Sequence, residues 1–292
     1  MRLVTIRRHW AITGIIVAFI ALSATYSVVT PIFEASDELW HYPFVKHLAD
    51  GNGLPVQDAS VNQPWRQEGS QPPLYYALSA LATFWIDTSD AYEGHPPLLW
   101  YNPHVDNGLL TADGNTNLVV HSRQEAFPWH GAALAMHLIR FLSVLMGATT
   151  VLLTYLIALE LFPGREDVAF GAATVNAFTP MFLFISGAVN NDNLVVPLCS
   201  LTLLMMVKTA NRKSQIANRN WVLDIRYWIL GFVLGLAALT KESAVGLLPL
   251  ALLAVAVRIW QQHCDAPLPR RFGLVIGHWL LVILPALAVS GW

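Results

Sequence analysis

The chain has 292 residues, 55% of them hydrophobic and only 12% charged, with mean hydropathy +0.48 and a formal net charge of −2. Soluble domains carry about 25% charged residues. Half that proportion excludes an ordinary water-soluble enzyme, a disordered chain and a nucleic-acid binder with a basic face, and it indicates a membrane protein. At about 20 residues per crossing, seven crossings would use about half the chain, so a large polar region must lie outside the bilayer. Cys199 and Cys264 fall in different segments and form neither a disulfide framework nor a zinc spacing.

The first expected span runs from His9 to Val29. It is longer than the roughly 7–15 residues of a signal-peptide core and is read as a retained helix. A loop over residues 31–130 follows. Within it, Pro72–Ile86 opens on Pro-Pro and is short, which suits an interfacial or re-entrant helix better than a crossing. The remaining expected spans are Ala133–Leu161, Val168–Val189, Leu194–Val207, Trp228–Leu239, Ala244–Ile259 and Leu274–Val289. With seven spans, Arg2, Arg7, Arg8, Arg165, Lys208, Arg212, Lys213, Arg219, Arg226, Arg258, Arg270 and Arg271 fall on the N-terminal side. Only Lys46, Arg66, Arg123 and Lys241 fall opposite. The positive-inside rule then places the N-terminus in the cytoplasm and the 31–130 loop outside. That loop holds 12 of the 19 acidic residues and six of the ten histidines. Long structureless loops are uncommon, and this one is expected to fold onto the membrane surface.

Four places carry candidate chemistry. Ser36 is an expected N-cap, with Asp37 and Glu38 in the first helical turn and His41 four residues beyond Asp37 on the same face. Helix-start chemistry explains these acids, and so does a carboxylate pair at the membrane boundary that takes a proton from a hydroxyl or holds a cation. Asp192, in Asn190-Asn191-Asp192-Asn193 between two spans, is either a turn residue or a second site carboxylate on the same membrane face. Lys241 beside Glu242, and Arg140 within a span, are structural partners of carboxylates or hold a lipid phosphate. Glu68, ahead of Pro72-Pro73-Leu74-Tyr75-Tyr76, stands where it would join Asp37 around a metal. His95, His104, His121 and His130 lack ligand spacing and are read as surface or structural. No internal repeat or inverted pair of broken helices is visible, which weakens a transporter reading.

These motifs in this order, Phe33-Glu-Ala-Ser-Asp-Glu38 with His41, Pro-Pro-Leu-Tyr-Tyr, an outward turn with Asp192, and Leu239-Thr-Lys241, resemble the membrane-embedded GT-C glycosyltransferases. That superfamily includes protein mannosyltransferases and aminoarabinose lipid A transferases, and the chain is most similar to a bacterial polytopic subgroup. The resemblance implies an all-α helical bundle with a large extracytoplasmic first loop. It implies inverting transfer of a sugar from a polyprenyl-phosphate donor to a protein, lipid or polysaccharide hydroxyl, on the extracytoplasmic face of a bacterial plasma membrane.

By the same resemblance Asp37, Glu38 and Asp192 are catalytic. His41, Lys241, Arg140, Tyr75 and Tyr76 bind substrate, and a divalent metal on Asp37 and Glu68 is the only cofactor expected. Where relatives carry His or Lys before Pro-Pro, this chain has Gln71. Relatives continue with more spans, so residues 1–292 are expected to be a single transmembrane domain, the N-terminal part of a longer protein. The expected partners are donor, acceptor and membrane lipids, with no nucleic acid. A flippase of lipid-linked sugars, or a non-catalytic assembly protein with this fold, is the alternative.

Overall fold

The structure is a computed structural model that describes residues 2–35, 37–58, 60–94, 96–105, 116–211, 220–264 and 266–291. Ser36, His95 and the basic Arg212, Lys213 and Arg219 lie outside the described residues. Ten α-helices run in order: α1 Arg2–Val29, α2 Glu38–Ala49, α3 Leu74–Thr83, α4 Gly131–Leu161, α5 Glu166–Ala177, α6 Pro180–Ser186, α7 Asp192–Ala210, α8 Asn220–Ala238, α9 Leu248–Gln262 and α10 Leu268–Ser290. Among the described residues there is no strand, only an isolated antiparallel bridge between Tyr101 and Val119.

Among the described residues, five helical stretches are long and apolar enough to cross a membrane: Trp10–Val29, Gly131–Leu161, Asp192–Ala210, Glu242–Gln262 and Leu268–Ser290. The expected span Val168–Val189 is a bent pair, α5 and α6, meeting at 62°. The bend falls at Thr179-Pro180, where proline removes a backbone donor and disfavours helix in the residue before it. Counting that pair as one crossing makes six. The fifth expected span, Trp228–Leu239, falls on α8, whose apolar stretch Ile225–Ala238 is shorter than the other candidates. The chain is a multi-pass membrane protein.

The described chain divides into two units. One comprises Val17–Gly147 and Phe178–Asn193. In it the C-terminal half of α1 meets α6 through Phe19 stacked on Phe182, ring centroids 5.4 Å apart. Gly187 lets backbones approach closely, since a Cβ there would lie 2.9 Å from the Ser23 carbonyl oxygen and 3.0 Å from the Ser27 nitrogen. Residues 31–130 are folded, with α2 and α3 packed face to face through Phe44 and Tyr76, centroids 3.9 Å apart. Phe33, Tyr42, Phe44, Tyr75 and Tyr76 are buried there. Lys46, also buried, reaches Asp50 at 2.9 Å and Thr88 at 3.0 Å, tying α2 to the following loop. Asp90 caps α4 from a distance in sequence: its Oδ1 accepts from the Ala132 nitrogen at 2.8 Å. Gly131 holds φ 56° against that carboxylate, where a side chain would both strain and collide.

The other unit comprises Met1–Ile16, Ala148–Ala177 and Leu194–Trp292. Tyr227, Leu230, Leu234, Ala251, Val255, Ile259 and Val282 form its apolar core among α8, α9 and α10. Gly231 and Gly235 present a small-residue face on which α10 rests, with Val282 and Ala286 backbone against them. Leu250, Leu253, Leu280 and Leu287 face outward, as lipid-facing positions do.

Candidate active site

The site is built on the turn between α1 and α2. Phe33 holds φ 67° and Asp37 φ 57°, both left-handed. Such backbone costs about 1–3 kcal/mol per residue and persists only where the surroundings over-determine it. Glu38 supplies that constraint. It is fully buried, and its Oε2 accepts from the Phe33 nitrogen at 2.9 Å, closing the turn on itself.

Glu38 Oε1 accepts from Arg140 Nε at 2.8 Å, and Arg140 Nη2 bonds Glu38 Oε2. Arg140 is equally buried and spends its other donors on the carbonyls of Ser27 (2.7 Å), Thr30 (2.8 Å) and Pro31 (3.0 Å). These are the last carbonyls of α1 and the first of the turn, groups a helix end leaves unsatisfied. Arg140 therefore joins the end of α1, the start of α2 and the middle of α4. The sequence left a structural partner and a phosphate both open for Arg140; its donors go to the protein. Glu38, expected as a second catalytic carboxylate, is buried, and its oxygens accept from Arg140, Phe33 and Val189.

Asp37 takes the N-cap position of α2, with Glu38 as the first helical residue. The left-handed turn sends adjacent acids in opposite directions, so Asp37 is exposed while Glu38 is buried. Glu38 Oε1 also accepts from the Val189 nitrogen at 2.9 Å, which pins the turn before α7 against the start of α2. Asp192 follows three residues later as the first residue of α7, half-buried, its nitrogen bonded to Asn190 Oδ1 at 2.8 Å. One hydrogen bond thus brings the Asp37 segment and the Asp192 segment together.

The Pro-Pro-Leu-Tyr-Tyr helix closes the group. Tyr75 is buried and its hydroxyl meets Ser143 Oγ at 3.0 Å and the Asn190 nitrogen at 3.1 Å. Tyr76 is buried too, its hydroxyl 2.7 Å from His41 Nδ1. Both tyrosines, expected to touch substrate, have their hydroxyls bonded within the protein. Burial raises the Tyr76 phenol's pKa, and the charges of Glu68 and Asp192 push it further up, placing both acids in its field. His41 lies 3.6 Å from Glu68. Gln71, standing where relatives carry a base, accepts from Asn191 Nδ2 at 3.3 Å. Asn193 bonds the Ile185 and Ala188 carbonyls at 2.9 Å, fixing the same turn.

Among the described residues no three or more His, Cys, Asp or Glu side chains gather as a metal set. Lys241 belongs to the other unit, at the start of the 3-10 turn Glu242–Leu247 with an extended backbone at φ −156°.

A second polar cluster escaped the sequence reading. His121 stands between two carboxylates, its Nε2 3.0 Å from Glu34 and its Nδ1 2.9 Å from Glu125. Hydrogen bonds to Glu125 and then Glu34 push its pKa up to about 9. Burial raises the Glu34 carboxyl, but its bonds to His121 and to the Leu118 and Val119 nitrogens bring it below the usual range. This clamp holds the loop's far end against the residue next to Phe33. The acid-rich sequence was its only signal, since Glu34 and His121 are distant in the chain.

The described residues form a helical, multi-pass chain with a polar site where the 31–130 loop meets the helix ends. Residues 131–288 match the family described as dolichyl-phosphate-mannose-protein mannosyltransferase. The match spans 158 of the 292 residues, and the chain belongs to that family. The matched stretch contains Arg140, Asp192 and Lys241, while the Asp37 segment precedes it. No curated protein shows a significant match to the chain.

Proposed function

We propose that the protein is an inverting GT-C glycosyltransferase that moves a sugar from a polyprenyl-phosphate donor to a hydroxyl acceptor at the extracytoplasmic membrane face. The observation that carries this reading is the exposed, left-handed Asp37 carboxylate, held at the end of the first span by the buried Glu38–Arg140 pair. A lipid-linked donor keeps its tail in the bilayer and its phosphate at the boundary, where the first span ends. Asp37 takes the acceptor proton as the acceptor oxygen bonds the sugar C1. The C1–O bond to phosphate breaks on the opposite face, and polyprenyl phosphate leaves with the electron pair. Asp192 serves as the second site carboxylate, and His41 with Tyr76 positions that end of the site.

Asp37→Asn is the decisive variant. Asn tolerates left-handed backbone about as well as Asp, so the variant keeps the turn and removes the base. Transfer should fall by about 10²–10⁴-fold. Mass spectrometry of envelope glycans and glycoproteins, from cells carrying the wild-type gene, the variant or neither, reads this. A variant that restores the wild-type product removes the base from Asp37.

A further inference from the structure

The unit containing α8 to α10 holds a cavity of about 560 Å³, lined by none of the residues placed in the transfer reaction. Its walls come from the C-terminal ends of α4 and α7 and from the described start of α8. Leu159 and Met205 supply apolar surface, while Glu160, Lys208, Asn211 and Arg226 supply polar groups. Among the described residues neither Lys208 nor Arg226 is in an ion pair.

Lys208 alone has a plain explanation, because a cation in the last turn of α7 suits the helix dipole. Glu160 does not. It sits in the last turn of α4, where the dipole end is already negative and a carboxylate is disfavoured. Asn211 Nδ2 donates to Glu160 Oε1 at 2.9 Å, orienting the carboxylate without neutralising it. Thr209 spends its hydroxyl on the Met205 carbonyl at 2.7 Å and adds nothing to the cavity's polarity. The wall therefore carries two cations and one oriented anion at the ends of membrane helices. A purely anionic ligand would meet Glu160 as a like charge. A ligand carrying both a phosphate and an ammonium satisfies all three groups.

We propose that this cavity binds the headgroup of a phospholipid with a primary ammonium, its phosphate on Lys208 and Arg226 and its ammonium on Glu160. The site shares no residue with the proposed transfer site, so its failure leaves the glycosyltransferase reading untouched.

The test is native mass spectrometry of the delipidated full chain in detergent, titrated with phosphatidylethanolamine, phosphatidylcholine and phosphatidylglycerol of matched acyl chains. Phosphatidylethanolamine should bind about fivefold more tightly than phosphatidylcholine, whose quaternary nitrogen has no N–H to donate, as expected for one partly exposed charge-assisted contact. Glu160→Gln keeps the side chain's size and should erase that preference while phosphate-dependent binding persists. Lys208→Ala with Arg226→Ala should weaken all three lipids. Equal binding of phosphatidylethanolamine and phosphatidylcholine to the wild type, or an undiminished preference in Glu160→Gln, overturns the proposal. So does a preference for phosphatidylglycerol, which would mark a site for anionic headgroups.

Discussion

Truncating Arg140 would leave the Glu38 carboxylate buried with its main counter-charge gone. Breaking one partner of such a pair costs about 3–5 kcal/mol, whereas replacing both with apolar residues of similar size is often tolerated. Arg140→Ala is therefore expected to lose thermal stability on that scale, and Glu38→Met with Arg140→Met to recover much of it. Melting of the purified variants checks this. Equal melting of Arg140→Ala and wild type would mean the pair does not hold the turn. His121 gives a pH prediction from the opposite kind of environment. Its pKa is raised in the folded chain, to about 9, so its contribution is fully present below the ordinary histidine value near 6.5. It is lost as pH rises through 9. Protease resistance of the 116–125 segment should hold steady up to about pH 6.5 and fall toward pH 9, and His121→Gln should flatten that dependence. At this scale the sequence was only half legible. It shows Asp37 and Glu38 as neighbours with identical chemistry. That one is exposed and the other buried depends on left-handed φ at Phe33 and Asp37, which no pattern of residue types announces in a non-glycine turn.

Elements were more legible, because hydropathy over a bilayer-length window is a strong signal. Expected and observed boundaries nearly coincide for Ala133–Leu161 within Gly131–Leu161, and for Ala244–Ile259 within the Glu242–Gln262 stretch. The bend between α5 and α6 had a visible cause in Thr179-Pro180, but an apolar average runs straight over it. What averages miss is how closely helices approach. Gly231 and Gly235, four residues apart on α8, face α10, and a Cβ at Gly235 would lie 2.8 Å from the Ala286 carbonyl oxygen. A Cβ at Gly231 would drive into the Val282 carbonyl oxygen, a backbone atom that cannot turn aside. Overpacking of this kind costs about 1–3 kcal/mol. Gly277 on α10 has open space around it, and there alanine gains helix propensity of up to about 1 kcal/mol. Gly231→Ala should lower the melting temperature while Gly277→Ala leaves it unchanged or raises it. The two glycines look alike in sequence, and the opposite signs follow from packing alone.

For the whole molecule, the question is which way the chain faces and whether α8 crosses. The turn at Asn190–Asn193 bonds Tyr75 and Gln71 of the 31–130 loop. If the bent pair α5–α6 is one crossing, it returns to the side of the membrane from which α4 departs. From there α7 crosses back, and α8 decides the parity of everything after it. Its apolar stretch Ile225–Ala238 is short of a span, but the whole helix has 19 residues, about 28 Å at 1.5 Å each, close to the roughly 30 Å hydrocarbon core. If α8 crosses, the α9–α10 connection lies on the N-terminal side with Arg258, Arg270 and Arg271, as the positive-inside rule requires. If α8 does not cross, that connection joins the acidic loop on the other side. Cys264 is exposed in this connection and reports on the choice directly. A membrane-impermeant maleimide should leave Cys264 unlabelled in intact cells and label it after permeabilisation, while Ser60→Cys, in the loop, should be labelled in both. Labelling of Cys264 in intact cells together with Ser60→Cys would keep α8 on one side and reduce the crossings by one. Labelling of Cys264 without Ser60→Cys would invert the whole molecule and move the Asp37 site to the cytoplasmic face.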